Sequence, residues 1–212
     1  MVAGVPLDGD WARDLSGARA QRVGRQLAGF LVGLHGADAG DVVGGLARVK
    51  PTPQASTELL RRRFAGLVDH DRSSTVLRRC DWVDDVLGED STALEEVLVH
   101  GDLHGYNQLW DPGACALAAV LDFEESGLHD PHFDFRYLPG LVGSIDLLLA
   151  TMENYELLCG RRLSIDRVMA WNVLTVLGDA LWRTEAGVAL PGGGTAASWV
   201  DDLEKRLHAL GL

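Results

Sequence analysis

Residues 97–123, "VLVHGDLHGYNQLWDPGACALAAVLDF", constrain the fold more than any other part of the chain. A short apolar run, Val97 to Val99, enters a polar loop. Gln108 to Trp110 and Cys115 to Leu121 then form two β-prone arms around D-P-G, a sequence with strong turn chemistry. Antiparallel pairing of the arms would return Asp122 to the side of Asn107. The flanking sequence is helical. One helix starts at about Ser16, with Val23, Leu27, Phe30, Leu31 and Leu34 at helical spacing, and ends at Gly36 and the GADAGDVVGG stretch. A second pattern, Leu59, Leu60, Phe64, Leu67 and Val68, follows a loop from Pro51 to Ser56, and a third runs from about Ser74 to Leu87. From Leu141 to Leu210 the pattern is again helical, broken at Gly160 and at the PGGG of Pro191 to Gly194. Residues 1–15 lack a period and read as an extended opening segment. The expectation is an α+β chain, mostly helical, with one small hairpin placed between helices and carrying the polar motifs at its ends.

Composition narrows the chemistry. The 212 residues suffice for one substantial core. Cys80, Cys115 and Cys159 are odd in number and lack C-x-x-C spacing, so neither a disulfide framework nor a zinc knuckle is expected, and a reducing cytoplasm is. No basic and apolar leader opens the sequence, and the longest apolar run, around Ile145 to Ala150, is too short to span a bilayer. A net charge of −12 predicts no nucleic-acid or membrane partner and favours cationic ligands. Only two lysines occur, Lys50 and Lys205.

The loop itself supports two frames of nearly opposite chemistry. GDLHG resembles the first metal-ligand motif of metallophosphoesterases, which remove phosphate. Two metals held about 3.5–4 Å apart need several further Asp, Asn and His ligands. The G-D-x-x-D and G-N-H-E-like blocks that supply them in that family do not follow Gly105, and the last third of the chain holds one histidine, His208. The longer frame, H-G-D-x-x-x-x-N over His100, Gly101, Asp102 and Asn107, fits phosphoryl transfer instead. That reaction needs an acceptor for a hydroxyl proton and oxygen ligands for the magnesium that bridges nucleotide phosphates.

"LVHGDLHGYN" followed by "VLDFEESGLHDPHFDF" resembles the aminoglycoside phosphotransferase and choline kinase family, relatives of protein kinases. All three of its blocks are present in order: H-G-D-x-x-x-x-N, a hydrophobic-x-D-[FW]-E, and D-P-x-x-D-[LF]. The resemblance implies a protein-kinase-like C-terminal lobe over residues 16–212, preceded by a hinge-like segment over 1–15. Within the lobe it implies a catalytic loop at 97–111, a metal and D-P-x-x-D segment at 119–136, and acceptor-pocket helices at 141–212. By this carry-over Asp102 is the catalytic base, and Asn107 and Asp122 are magnesium ligands. Leu109 and Leu121 lie under the base of ATP or another nucleoside triphosphate. His100, His104, Asp130 and Asp134 are structural members of the motifs. Glu124, Glu153 and Asp179 are weaker candidates for holding a small-molecule acceptor, whose charge balance suggests a cation.

The family's nucleotide-binding N-terminal lobe has no counterpart here. No lysine precedes Lys50, and no Gly-rich loop follows a strand near the start. Either a fragment of a longer kinase or a naturally lobe-less relative is expected, with a partner chain or self-association covering the bare face and little phosphotransfer by residues 1–212 alone. A non-catalytic binding module and a lyase reusing the acidic site are the alternative readings. Aminoglycoside, macrolide, choline and sugar alcohol acceptors all remain open. If carboxylates in an open cleft hold a cationic acceptor, its apparent affinity should fall as salt rises from low to physiological strength, measured by titration at several ionic strengths. Salt-independent affinity would reduce the charge to a solubility device.

Overall fold

Two sheets of very short strands are set among helices of ordinary length. The computed structural model describes residues 4–7, 11, 15–37, 54–88, 95–141 and 145–212. In chain order the elements are β1 (Val5–Pro6), α1 (Gly17–His35), α2 (Thr57–Arg63), α3 (His70–Gly88), β2 (Val97–Val99) and β3 (Gln108–Asp111). There follow β4 (Ala116–Val120), β5 (Gly127–His129), α4 (Leu138–Leu141), α5 (Asp146–Cys159), α6 (Ile165–Ala186) and α7 (Ala196–Ala209). Short 3-10 turns occupy Phe64–Gly66, Gly105–Asn107, Pro131–Phe135 and Pro191–Gly193. The chain is thus α+β and mostly helical. It forms two compact units, Met1–Pro51 with Glu95–Ser164, and Thr52–Leu94 with Ile165–Leu212. The GADAGDVVGG stretch from residue 38 onward, Lys50 and the start of the Pro51 loop lie outside the described residues.

In the first unit, α1 buries Ala20, Val23, Gly24, Leu27, Ala28, Leu31 and His35, a stripe at three- and four-residue spacing. Phe30 and Leu34, expected on that face, sit half-buried at its margin. The stripe packs on α5, whose Leu147, Leu148, Ala150, Thr151 and Tyr155 are buried. Gly24 lets the two backbones meet, because a Cβ there would lie 2.9 Å from the Ala150 carbonyl carbon and the Thr151 nitrogen. β3 is the middle strand of a three-stranded antiparallel sheet, paired with β1 (Val5 opposite Trp110) and with β4 (Gln108 opposite Val120). The Asp111 carboxylate shapes the hairpin turn by accepting from the Gly113 and Ala114 amides at 2.9 and 3.1 Å. A second pair, β2 with β5, sets Val99 opposite Gly127.

In the second unit, α6 is buried along most of its length, and α3 and α7 pack against it. α3 begins four residues before Ser74 because Asp69 accepts from the Arg72 amide at 3.0 Å. Arg79 grips Glu204 of α7 through two N–H···O bonds of 2.7 and 3.0 Å, and Arg72 grips Asp201 likewise. Thr195 and Ser198 form a reciprocal cap that starts α7 after the Gly-rich break. Among the described residues no helix is long and apolar enough to cross a membrane.

One buried carboxylate ties the first unit together. Asp134, fully buried in the Pro131–Phe135 turn, accepts from the His100 amide at 2.8 Å, the Gly101 amide at 2.9 Å and His35 Nε2 at 3.1 Å. His35 Nδ1 in turn meets the Tyr155 hydroxyl of α5 at 2.8 Å. Since Asp134 can only accept, His35 carries its proton on Nε2 and Tyr155 donates to Nδ1. Burial alone would raise the Asp134 pKa, but the hydrogen bonds from His35 and from the two amides outweigh it and hold the carboxyl below its usual range. An asparagine in its place would turn an NH2 toward a donor. Asp134→Asn should therefore cost about 3–5 kcal/mol, as loss of one partner of a buried charged network does, read from denaturant unfolding. Because the folded-state pKa is depressed, this contribution is complete above the ordinary carboxylate value of about 3.9 and is lost as pH falls through it toward the folded-state value. The variant should show less acid-side loss of stability than the parent.

Candidate functional site

The pairing of β2 with β5 and of β3 with β4 brings two loops together, residues 100–107 and 121–126. The Leu121 amide donates to the Asn107 carbonyl at 2.9 Å, one step beyond the β3–β4 ladder, so Asp122 follows directly from the partner of Asn107. His100 seals the junction from beneath. It is fully buried, its Nε2 donates to the Leu121 carbonyl at 2.8 Å, and its Nδ1 accepts from the Asp102 amide at 3.2 Å. Ser126 Oγ donates to the His100 carbonyl at 3.1 Å, and the Phe123 ring lies 4.6 Å from the imidazole. Gly101 is required where it stands. Its φ is +84°, and a Cβ would lie 2.1 Å from the Glu125 carbonyl oxygen.

Asp102 emerges from this braced loop with its side chain 29% exposed, enough for a solute to reach the carboxylate. Oδ1 accepts from the Tyr137 hydroxyl at 2.7 Å. Among the described residues Oδ2 has only long neighbours, His104 Nε2 and Asn107 Nδ2, each at 3.4 Å. His104 Nδ1 accepts from the Tyr106 amide at 3.1 Å, which leaves the ring proton on Nε2, toward Asp102. Asn107 is buried, and its Nδ2 donates to the Asp102 carbonyl at 2.8 Å, so its Oδ1 is the atom left to act as a ligand. Asp122 is exposed and takes the left-handed backbone conformation at φ +62°, uncommon for a residue with a side chain. Strain of this kind gathers at functional sites.

The oxygen of Asn107 and the carboxylate of Asp122 are hard donors. Among the described residues no group of three or more His, Cys, Asp or Glu side chains is arranged to hold a metal. Such a set suits magnesium, which keeps several waters and takes further oxygens from phosphate, and does not suit zinc. Leu109 and Leu121 lie on the same sheet face as Asn107, given the pairing of Leu109 with Ala119, and Leu121 is 41% exposed. Tyr106, Phe123 and Val5 are exposed as well.

The other sequence-derived residues are placed as follows. Asp130 caps the Pro131–Phe135 turn through the His132 amide at 2.9 Å and bonds His132 Nδ1, whose Nε2 accepts from the Ser164 amide at 2.9 Å. Glu124 is exposed at the bend beside the site. Glu153 lies on the exposed side of α5, accepting from Gln21 at 3.2 Å. Asp179 belongs to the second unit, where Arg183 Nε contacts both of its oxygens at 2.9 Å.

Arg136 and Tyr137 were not anticipated. Arg136 is 2% exposed, with its guanidinium 3.7 Å from the Phe133 ring centre and 4.3 Å from that of Tyr137. It donates to the Gly101 carbonyl at 2.5 Å, to the Phe133 carbonyl at 3.0 Å and to the Tyr137 oxygen at 3.2 Å. Burial pulls its pKa down from the ordinary arginine value, while Tyr137, Asp134 and Asp102 act in the opposite sense. The available signal was an arginine flanked by Phe135 and Tyr137, in "FDFRYLPG", directly after the D-P-x-x-D-F block.

Known proteins share the fold of this chain. The model of the phosphotransferase enzyme family matches residues 3–153, more than half of the chain. The GDP and kanamycin complex of the aminoglycoside phosphotransferase APH(2'')-IIIa is similar over 99% of this chain and 69% of its own, with a TM-score of 0.70 and 19% identity. A thermostable mutant of APH(4)-Ia, in ternary complex with ADP and hygromycin B, gives 99%, 70%, 0.58 and 16% for the same quantities. APH(3'')-Id from Streptomyces rimosus, in complex with ADP and streptomycin, gives 82%, 67%, 0.56 and 18%. The chain thus spans about two thirds of the length of these structures. At such identities the likeness is one of fold, that of aminoglycoside phosphotransferases. Together with the family match over the hairpin and its two loops, it establishes that the chain belongs to the phosphotransferase enzyme family.

Proposed function

We propose that the chain carries the catalytic and acceptor-binding part of an ATP-dependent O-phosphotransferase acting on a small hydroxylated molecule, in the manner of aminoglycoside kinases. The observation that supports this most is the convergence of Asp102, Asn107 and Asp122 at one end of a single hairpin, two of them on a loop anchored through Asp134. Asp102 is the base: it orients the acceptor hydroxyl and takes its proton as the oxygen–phosphorus bond forms and the bond to the departing nucleoside diphosphate breaks. Asn107 Oδ1 and the Asp122 carboxylate hold magnesium, which when bound neutralises charge on the transferring phosphate. The nucleotide base rests on Leu109 and Leu121. So sparse a set fits a reaction whose loose transition state leaves catalysis mainly to positioning and charge. The neighbours crystallised with kanamycin, hygromycin B and streptomycin motivate a polyhydroxylated, cationic acceptor, and the net charge of −12 agrees with it.

Calorimetric titration with ATP in the presence of magnesium tests the metal assignment on the chain itself. Asp122→Ala should abolish the magnesium-dependent part of binding, and Asn107→Ala should weaken it. Binding that is indifferent to both substitutions would remove these residues from the metal site.

The base is tested separately, in a form that turns over with a hydroxyl acceptor. Asp102→Asn should lower kcat by roughly 10²–10⁴-fold while leaving nucleotide affinity nearly intact, because the residue acts chiefly in the transition state. A variant that keeps more than about a tenth of the parent rate would contradict the assignment, given the size of general-base effects.

A further inference from the structure

Around the Asp102 carboxylate, among the described residues, one hydrogen bond is short while the other contacts are long. Tyr137 Oη lies 2.7 Å from Oδ1, whereas the His104 and Asn107 nitrogens lie 3.4 Å from Oδ2. The direction of the short bond follows from its neighbours. A guanidinium can only donate and an ionised carboxylate can only accept. Arg136 Nη2 donates to the Tyr137 oxygen at 3.2 Å, so the phenol's own proton points to Asp102. The arginine is held in turn by the Gly101 and Phe133 carbonyls and by the rings on either side of it. Rotation of an aspartate carboxylate about its last bond is soft, with no sharp well to fix it. The fixed phenol supplies the constraint that the side chain lacks.

We propose that Tyr137, oriented by Arg136, is the positioning residue of the phosphotransfer site: it holds Oδ1 of Asp102 so that Oδ2 faces the acceptor hydroxyl and takes its proton. The inference rests on the phosphotransferase reading and adds to it which oxygen is the base and what aims it. Among the described residues Oδ2 has only the two long contacts, which compete weakly with an incoming hydroxyl for it. His104, with its ring proton on Nε2, is directed at the same oxygen from 3.4 Å.

Tyr137→Phe keeps the ring that packs on Arg136 and removes only the hydroxyl. In the protein turning over a hydroxyl acceptor, kcat should fall roughly 10- to 100-fold, the usual cost of losing a group that orients a reacting one, with KM nearly unchanged. In an Asp102→Asn background the same substitution should cost almost nothing more, because its effect passes through that carboxylate. A strut for the loop would behave differently, lowering the melting temperature and reducing the rate by the same factor in both backgrounds. A crystal structure of Tyr137→Phe reads the same claim without turnover: residues 97–111 should superpose on the parent while the Asp102 carboxylate rotates or takes two orientations. An equal loss of rate in both backgrounds, or a carboxylate left in its single parental orientation, would overturn the proposal. If no form of the protein that binds ATP and magnesium phosphorylates a hydroxylated acceptor, the phosphotransferase reading fails instead, and the crystal structure alone decides whether Tyr137 aims Asp102.

Discussion

Asp134 places a carboxylate in the interior of the first unit, where an isolated charge would be prohibitively costly, and surrounds it with three donors from two distant parts of the chain. Two are backbone amides of the loop at residues 100–107, and the third is an imidazole at the end of α1. Low polarity strengthens each bond, and it equally penalises any arrangement that leaves one unmade. The loop therefore has one stable position relative to α1, and through Tyr155 relative to α5 as well. Everything downstream depends on this. Gly101 must pass under the Glu125 carbonyl, His100 must reach the Leu121 carbonyl, and Asp102 must emerge where Tyr137 can meet it.

Among the described residues the acidic site is also open on one side. Asp102 keeps one oxygen lightly held, Asn107 presents its oxygen because its NH2 is spent on the Asp102 carbonyl, and Asp122 is exposed on a left-handed backbone. Each feature runs against maximal local stability. Their coincidence on one hairpin end is what a binding and reaction site requires. The exposed Tyr106, Leu121 and Phe123 belong to the same loops. They give the polar groups an apolar surround that suits a nucleotide base.

Much of this could be read from the sequence, and the parts that could not share a physical cause. The D-P-G turn and its β-prone arms announced the hairpin, with arms of 108–110 and 115–121 against the observed Gln108–Asp111 and Ala116–Val120. α1 was visible because its apolar stripe repeats over five turns. The β2–β5 pair was not, since three-residue strands are too short to show a period. β1, two residues long, read only as extended chain. The links from Tyr155 to His35, from His35 to Asp134 and from Tyr137 to Asp102 join residues 35 to 120 positions apart, which no local pattern records. The spacing of Asp102, Asn107 and Asp122 was accessible because a hairpin converts sequence distance into register. The arginine behind Tyr137 stood in plain view, but its meaning appears only when the Gly101 carbonyl above it is in place.

Native-state hydrogen exchange at the His100 and Gly101 amides tests most directly whether a buried carboxylate fixes the loop. Ordinary loop amides exchange through small local openings, whereas amides bonded to a buried group open only with the structure around them. The account predicts that these two amides exchange as slowly as core amides of α1 such as Leu27, and that both speed up together when Asp134 is replaced. Exchange at the rate of a solvent-exposed loop amide in the parent protein would contradict it.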